Sequence, residues 1–175
     1  MANNTQVLNR GFKKAQQIAN DYIANQLIKV CEMLVDDAVK RYKSPVGPFT
    51  GNTITGYACG VYLNGTLFYY YKNDGIKSPL RGKLKKGESV SLAPDYGGRT
   101  RSMTGRINTD GEYGHEHSFK FLRAYNSKVK SGVEIVMCSG TEYSTYIETV
   151  LDGNVLTDTF RNAKQILANN IKPMN

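Results

Sequence analysis

An α+β domain is the fold class this sequence predicts, and three observations predict it. From about Thr5 to Tyr42 apolar residues recur mostly at three- and four-residue steps, the period of a helix buried on one side. Ile54 to Leu63 and Thr66 to Tyr71 are then rich in β-branched and aromatic residues. Two further helical stretches close the chain, around Tyr143–Leu151 and Thr157–Ile171. With 175 residues, one domain is expected over 1–175, long enough to bury a core without disulfides.

Leu8, Phe12, Ala15, Ala19, Tyr22, Leu27, Val30, Leu34, Ala38 and Tyr42 define the first helix, roughly 55 Å long at about 1.5 Å per residue. A helix of that length protrudes from a small domain or packs on a neighbouring subunit. Gly11 weakens its first turns, and Lys43-Ser-Pro-Val-Gly-Pro48 ends it, since proline lacks the amide and restricts the residue before it. Asn64-Gly65 is the preferred dipeptide of a two-residue type I′ turn, which makes the next two segments a hairpin. Its second strand, Leu67-Phe-Tyr-Tyr-Tyr71, has aromatics on both faces, so another element or subunit is expected on at least one.

Residues 73–114 read as a long inserted loop, with a small hairpin around Ser89-Val-Ser-Leu92; loops of this length are usually functional or disordered until bound. Strands are expected to resume near Ser118-Phe-Lys-Phe121 and at Gly132-Val-Glu-Ile-Val-Met-Cys138. Tyr143, Tyr146, Ile147, Val150 and Leu151 lie at i, i+3, i+4, i+7 and i+8, a stripe for a short helix to bury against the sheet. Asp152-Gly153 stops it, with glycine suited to a left-handed cap. In the final helix Phe160, Ala163, Leu167 and Ile171 share a face, Thr157 or Asp158 can cap the start, and Pro173 closes the end.

The net charge of +8 is concentrated in one segment. Between Lys72 and Arg106 nine cations face three carboxylates, a surplus of six that leaves two for the rest of the chain. Lys83, Lys85, Lys86, Arg99, Arg101 and Arg106, with Tyr96, have the composition that contacts phosphates without sequence preference. The bland alternative is a solvated flexible loop.

Catalytic and metal chemistry find little support. The chain has no nucleophile elbow, Walker loop or His-Glu-x-x-His helix. His115-Glu-His117 would put two imidazoles on one face of a strand, but with no further histidine Cys138 would have to complete a metal site, and a polar turn is the simpler reading. A hydrolase would depend on His115 or His117. Asp36 and Asp37 read as a solvated helix face, while Glu148, beside Ile147, suits a salt bridge at a subunit contact. Cys31, Cys59 and Cys138, odd in number and set in apolar runs, read as reduced, buried, inert thiols of a cytoplasmic protein. No stretch has the length of a membrane span, and Met1-Ala-Asn-Asn-Thr-Gln has no apolar signal core. No cofactor or metal is expected.

Two separated segments carry a family resemblance. Ala38-Val-Lys-Arg-Tyr-Lys-Ser-Pro45, followed by Thr50-Gly-Asn52 and Ile54, resembles the helix and "Pro-Val-x-Thr-Gly-x-Leu" of the tail-completion, or head-to-tail joining, proteins of tailed bacteriophages. Glu142-Tyr-Ser-Thr-Tyr-Ile-Glu148 is similar to that family's "Tyr-Ala-x-Tyr-Val-Glu". Two departures are visible: Val-Gly-Pro-Phe lengthens the spacing between Pro45 and Thr50, and Thr-Val-Leu follows Glu148 where Phe/Tyr-Gly-Thr is common. The basic insert is also absent from the family's compact form. The resemblance implies a long helix packed on a curved antiparallel sheet, in a non-enzymatic subunit that forms a six- or twelve-fold ring with itself. Such a ring extends the DNA channel below the portal, docks adjacent neck or tail proteins, and belongs to the virion head–tail junction after synthesis in the host cytoplasm. Tyr143, Tyr146, Ile147, Glu148, Val150 and Leu151 are then candidate core or subunit contacts, and the basic loop reaches channel DNA or an adjacent ring. The alternative is a stand-alone nucleic-acid-binding protein that uses the loop at 72–106.

Overall fold

A computed structural model describes residues 4–42, 51–73, 89–91, 100–102, 114–141 and 144–174. Helix α1 runs unbroken from Asn4 to Arg41. Gly11 lies within it, and a Cβ there would touch nothing. Pairing follows through the hairpin β1 (Tyr57–Leu63) and β2 (Thr66–Lys72). The turn has the backbone expected from Asn64-Gly65, with φ of 52° and 85° at the two residues. Strand β1 starts later than the sequence suggested, because Ile54 belongs to a short helix, α2 (Asn52–Thr55). A bulge between Val61 and Tyr62 shifts the register against β2.

The three-stranded sheet is antiparallel in the order β2-β1-β5, with β5 spanning Val133–Ser139. Alternation on β1 divides the core. Tyr57, Cys59 and Val61 join the cluster of Leu27, Cys31, Leu34 and Ala38 from α1. Ala58, Gly60 and Tyr62 lie on the opposite face, where Tyr62 donates to the Leu122 carbonyl at 2.5 Å. Helix α5 (Val155–Asn170) packs on α1 and adds Val155 and Ile166 to the same cluster.

The opposite face is covered by α3 (Gly114–Ala124), where the sequence suggested a strand at Ser118–Phe121. The helical period was hidden because two of its buried positions are small, Gly114 and Ser118, with Leu122 completing the row at four-residue steps. Phe119 and Phe121 gave a false impression of strand alternation. Small residues also let α3 meet the chain closely: a Cβ on Gly140 would fall 1.9 Å from the Gly114 carbonyl oxygen. Within the insert, β3 (Ser89–Ser91) pairs with β4 (Thr100–Ser102), in keeping with the hairpin expected near Ser89–Leu92. The rest of 74–113 lies outside the described residues.

The last helix differs in two details. It starts at Val155, ahead of Thr157, and Phe160 points to solvent at 80% exposure, while Val155, Thr159 and Ile166 face inward. Cys31 and Cys59 are buried and Cys138 is half-buried, all as free thiols. Burial pushes the Cys138 thiol up to about 12, and burial with the neighbouring Cys31 raises Cys59 well above its usual value, which suppresses thiolate reactivity in both.

Candidate assembly surfaces

Helix α4 (Ser144–Thr149) has no buried residue. The stripe read as packing on the sheet therefore does not do so. Tyr146 is 52% exposed, and Val150 and Leu151 are exposed as well, while Ile147 is half-buried; Tyr143 lies outside the described residues. The helix is held at its C-terminal end, where Val150 and Leu151 donate to the Tyr146 carbonyl and Gly153 donates to that of Ile147. The left-handed residues here are Asp152 and Asn154, not Gly153. Glycine is required for a different reason, since a Cβ would come within 2.6 Å of the Ile147 oxygen.

Glu148, a candidate subunit contact, caps α5 within the chain. Its carboxylate accepts the Leu156 amide at 2.9 Å, the Thr157 amide at 3.3 Å and the Thr157 hydroxyl at 3.2 Å. Anionic acceptors at a helix N-terminus satisfy amides that lack intrahelical partners and favour the positive end of the helix dipole. Asn154, the residue at the cap position, supplies no side-chain cap. Thr157 and Asp158, the capping candidates in the sequence, lie inside the helix, and the acceptor is further upstream.

Asp36 and Asp37 are likewise not a solvated face. The Asp37 carboxylate accepts from Arg41 at 2.5 Å, from the Thr159 hydroxyl at 3.1 Å and from the Asn162 amide at 3.3 Å, which joins α1 to the start of α5. Asp36 accepts from Asn73 at 2.9 Å at the end of β2. The signal for both was available only in the fold, since their partners are distant in sequence.

A second exposed apolar surface lies on α1. Burial begins at Ala24, and Val7, Leu8, Phe12 and Ile18 before it are exposed, Phe12 at 72%. The polar side of this outer half leans over the hairpin end: Lys13, Gln16, Gln17 and Asn20 line a cleft with Asn64, Lys130 and Ser131, and Gln16 donates to the Ser131 hydroxyl at 3.3 Å.

Of the candidate phosphate contacts, Arg101 lies on β4, and Lys83, Lys85, Lys86, Arg99 and Arg106 fall outside the described residues, so no constellation is assembled from them. His115 and His117 lie on the first turns of α3, not on a strand or turn. Two residues apart on a helix is about 200° around the axis, so the pair does not share a face. Among the described residues no group of three metal-ligating side chains occurs, and no helix is long and apolar enough to cross a membrane. No protein-family model, curated protein or solved structure matches the chain.

Proposed function

We propose that this chain is a non-enzymatic structural subunit of a tailed bacteriophage that assembles into a ring at the head–tail junction, below the portal. The observation that carries the reading is the presence of two exposed apolar surfaces, on the outer half of α1 and on α4, in a chain that also has a well-packed core. Exposed apolar area of that kind is a liability for a monomer and a resource for an assembly. Tyr146 of the second surface belongs to the Glu142–Glu148 segment that resembles the connector family. Six- or twelve-fold symmetry, a portal partner above and neck or tail proteins below are part of the same proposal.

Electron microscopy of the purified protein with and without its portal tests this reading. Rings of defined symmetry that stack on the portal are the expected result; a protein that stays dispersed and ignores portal rings would overturn it. Tyr146→Glu should disrupt the ring while leaving thermal unfolding unchanged, because the side chain lies outside the core.

A second reading has its own support in the charge surplus between Lys72 and Arg106: a nucleic-acid-binding protein that uses this segment as its main surface. It predicts a monomer with strongly salt-dependent DNA affinity and no affinity for portal rings.

A further inference from the structure

We propose that the outer half of α1, from Asn4 to Tyr22, is a self-association seam that packs along the same stretch of a second copy of this chain. The inference deepens the ring reading, since it names a surface through which copies meet.

The seam is set by spacing. Leu8, Phe12, Ala15, Ala19 and Tyr22 follow one another at steps of four, three, four and three residues, the repeat with which one helix packs continuously along another. Leu8 and Phe12 are exposed, at 62% and 72%. Ala15 and Ala19 are small enough to let a second helix axis approach closely.

The seam also continues a packing line that the fold already uses. Helix α5 lies antiparallel along α1, with its start beside Asp37 and the residues just after its end, Lys172 and Pro173, beside Gln26 and Tyr22. The Gln26 side chain exchanges two hydrogen bonds with the Lys172 backbone, at 2.5 and 3.1 Å. Tyr22 donates to the Pro173 carbonyl at 3.0 Å. At about 100° per residue, Tyr22, Gln26 and Asp37 share the face of Leu8, Phe12, Ala15 and Ala19, about 120° from the face that α1 turns to the sheet. One stripe thus runs the length of α1. Its inner part is covered by α5 and by the residues that follow it as far as Pro173, which reach Tyr22, and its outer part, with Leu8 and Phe12, is exposed.

Charge decides that the missing helix can come from an identical chain. A protein of net charge +8 resists pairing with itself wherever its cations face each other. Here the flanking positions Asn9, Gly11, Gln16, Ile18 and Ile23 are all uncharged, while Arg10, Lys13 and Lys14 lie on the far side of the helix. Two copies joined along the seam hold their cations apart, toward solvent and toward their own hairpin ends.

The test uses the full chain. Sedimentation over a concentration series should show reversible association for the wild type and, for Leu8→Glu/Phe12→Glu, association weakened by roughly tenfold or more, with the same thermal midpoint when both proteins are dilute enough to be dissociated. Ala15→Cys, at the middle of the seam, meets its own copy in either helix orientation and should form a disulfide-linked dimer under mild oxidation; Lys14→Cys should not. A wild type that stays monomeric at every concentration, or a double variant that associates as the wild type does, overturns the seam. The ring reading is judged separately. Rings that persist in the double variant overturn the seam and leave the ring reading standing, whereas seam-paired copies that ignore the portal do the reverse.

Discussion

Asp37 ties together groups that the chain separates by more than a hundred positions. Thr159, fully buried, depends on it for its hydroxyl bond. Asp37→Ala leaves that hydroxyl without its carboxylate acceptor and should lower stability by about 1–3 kcal/mol, measured by urea unfolding. Thr159→Val in the same background should recover part of the loss, because the orphaned group is then gone. Tyr62 is one of several buried groups that lower stability at alkaline pH. Burial raises its hydroxyl from 10.0 to about 12, and burial with the bond to Glu32 does the same for Tyr69. Between those values the folded chain holds tyrosine protons that the unfolded chain has released, and the buried thiols of Cys59 and Cys138 do the same from their ordinary value of 9.0, so stability falls from about pH 9 onward and more steeply as pH rises from 10 toward about 12. Tyr62→Phe should make that decline shallower in unfolding curves recorded across this range.

At the scale of elements, α4 acts on α5 through one carboxylate. Glu148→Ala removes the acceptor of two backbone amides and should cost about 1–2 kcal/mol, read as a shifted urea midpoint, with Glu148→Gln intermediate because one oxygen remains. The two halves of α1 should differ in amide exchange. Ala24–Ala38 is clamped between sheet and α5 and should exchange slowly, whereas the outer turns should exchange fast in dilute protein and slow on self-association. Periodicity made α1, the hairpin and α5 legible, since long apolar stripes and an Asn-Gly turn are local signals. It failed at α3, where glycine and serine occupy buried positions, and at α4, where an apolar stripe faces solvent instead of the sheet. The Glu148 cap and the Asp37 bonds could not be read from the chain, because an acceptor is defined by what folds against it.

For the whole molecule, the charge surplus between Lys72 and Arg106 predicts how the protein meets DNA. If this segment contacts phosphates, replacing Lys83, Lys85 and Lys86 by alanine should reduce the salt dependence of DNA binding by up to about 0.9 in log–log slope per lost contact, with unfolding unaffected. The single rod of α1 has a different consequence. Because sheet and α5 fix the inner half in rotation, they also fix the compass bearing of everything further out along the same rod. One residue inserted between Asn20 and Asp21 would swing Leu8 and Phe12 around the axis by about 100° while leaving the core intact. Seven residues would add about two turns and bring them back nearly to their original heading. Assembly lost with the first insertion and regained with the second would make helical phase, set deep in the core, the property that tells each copy which way to look for the next.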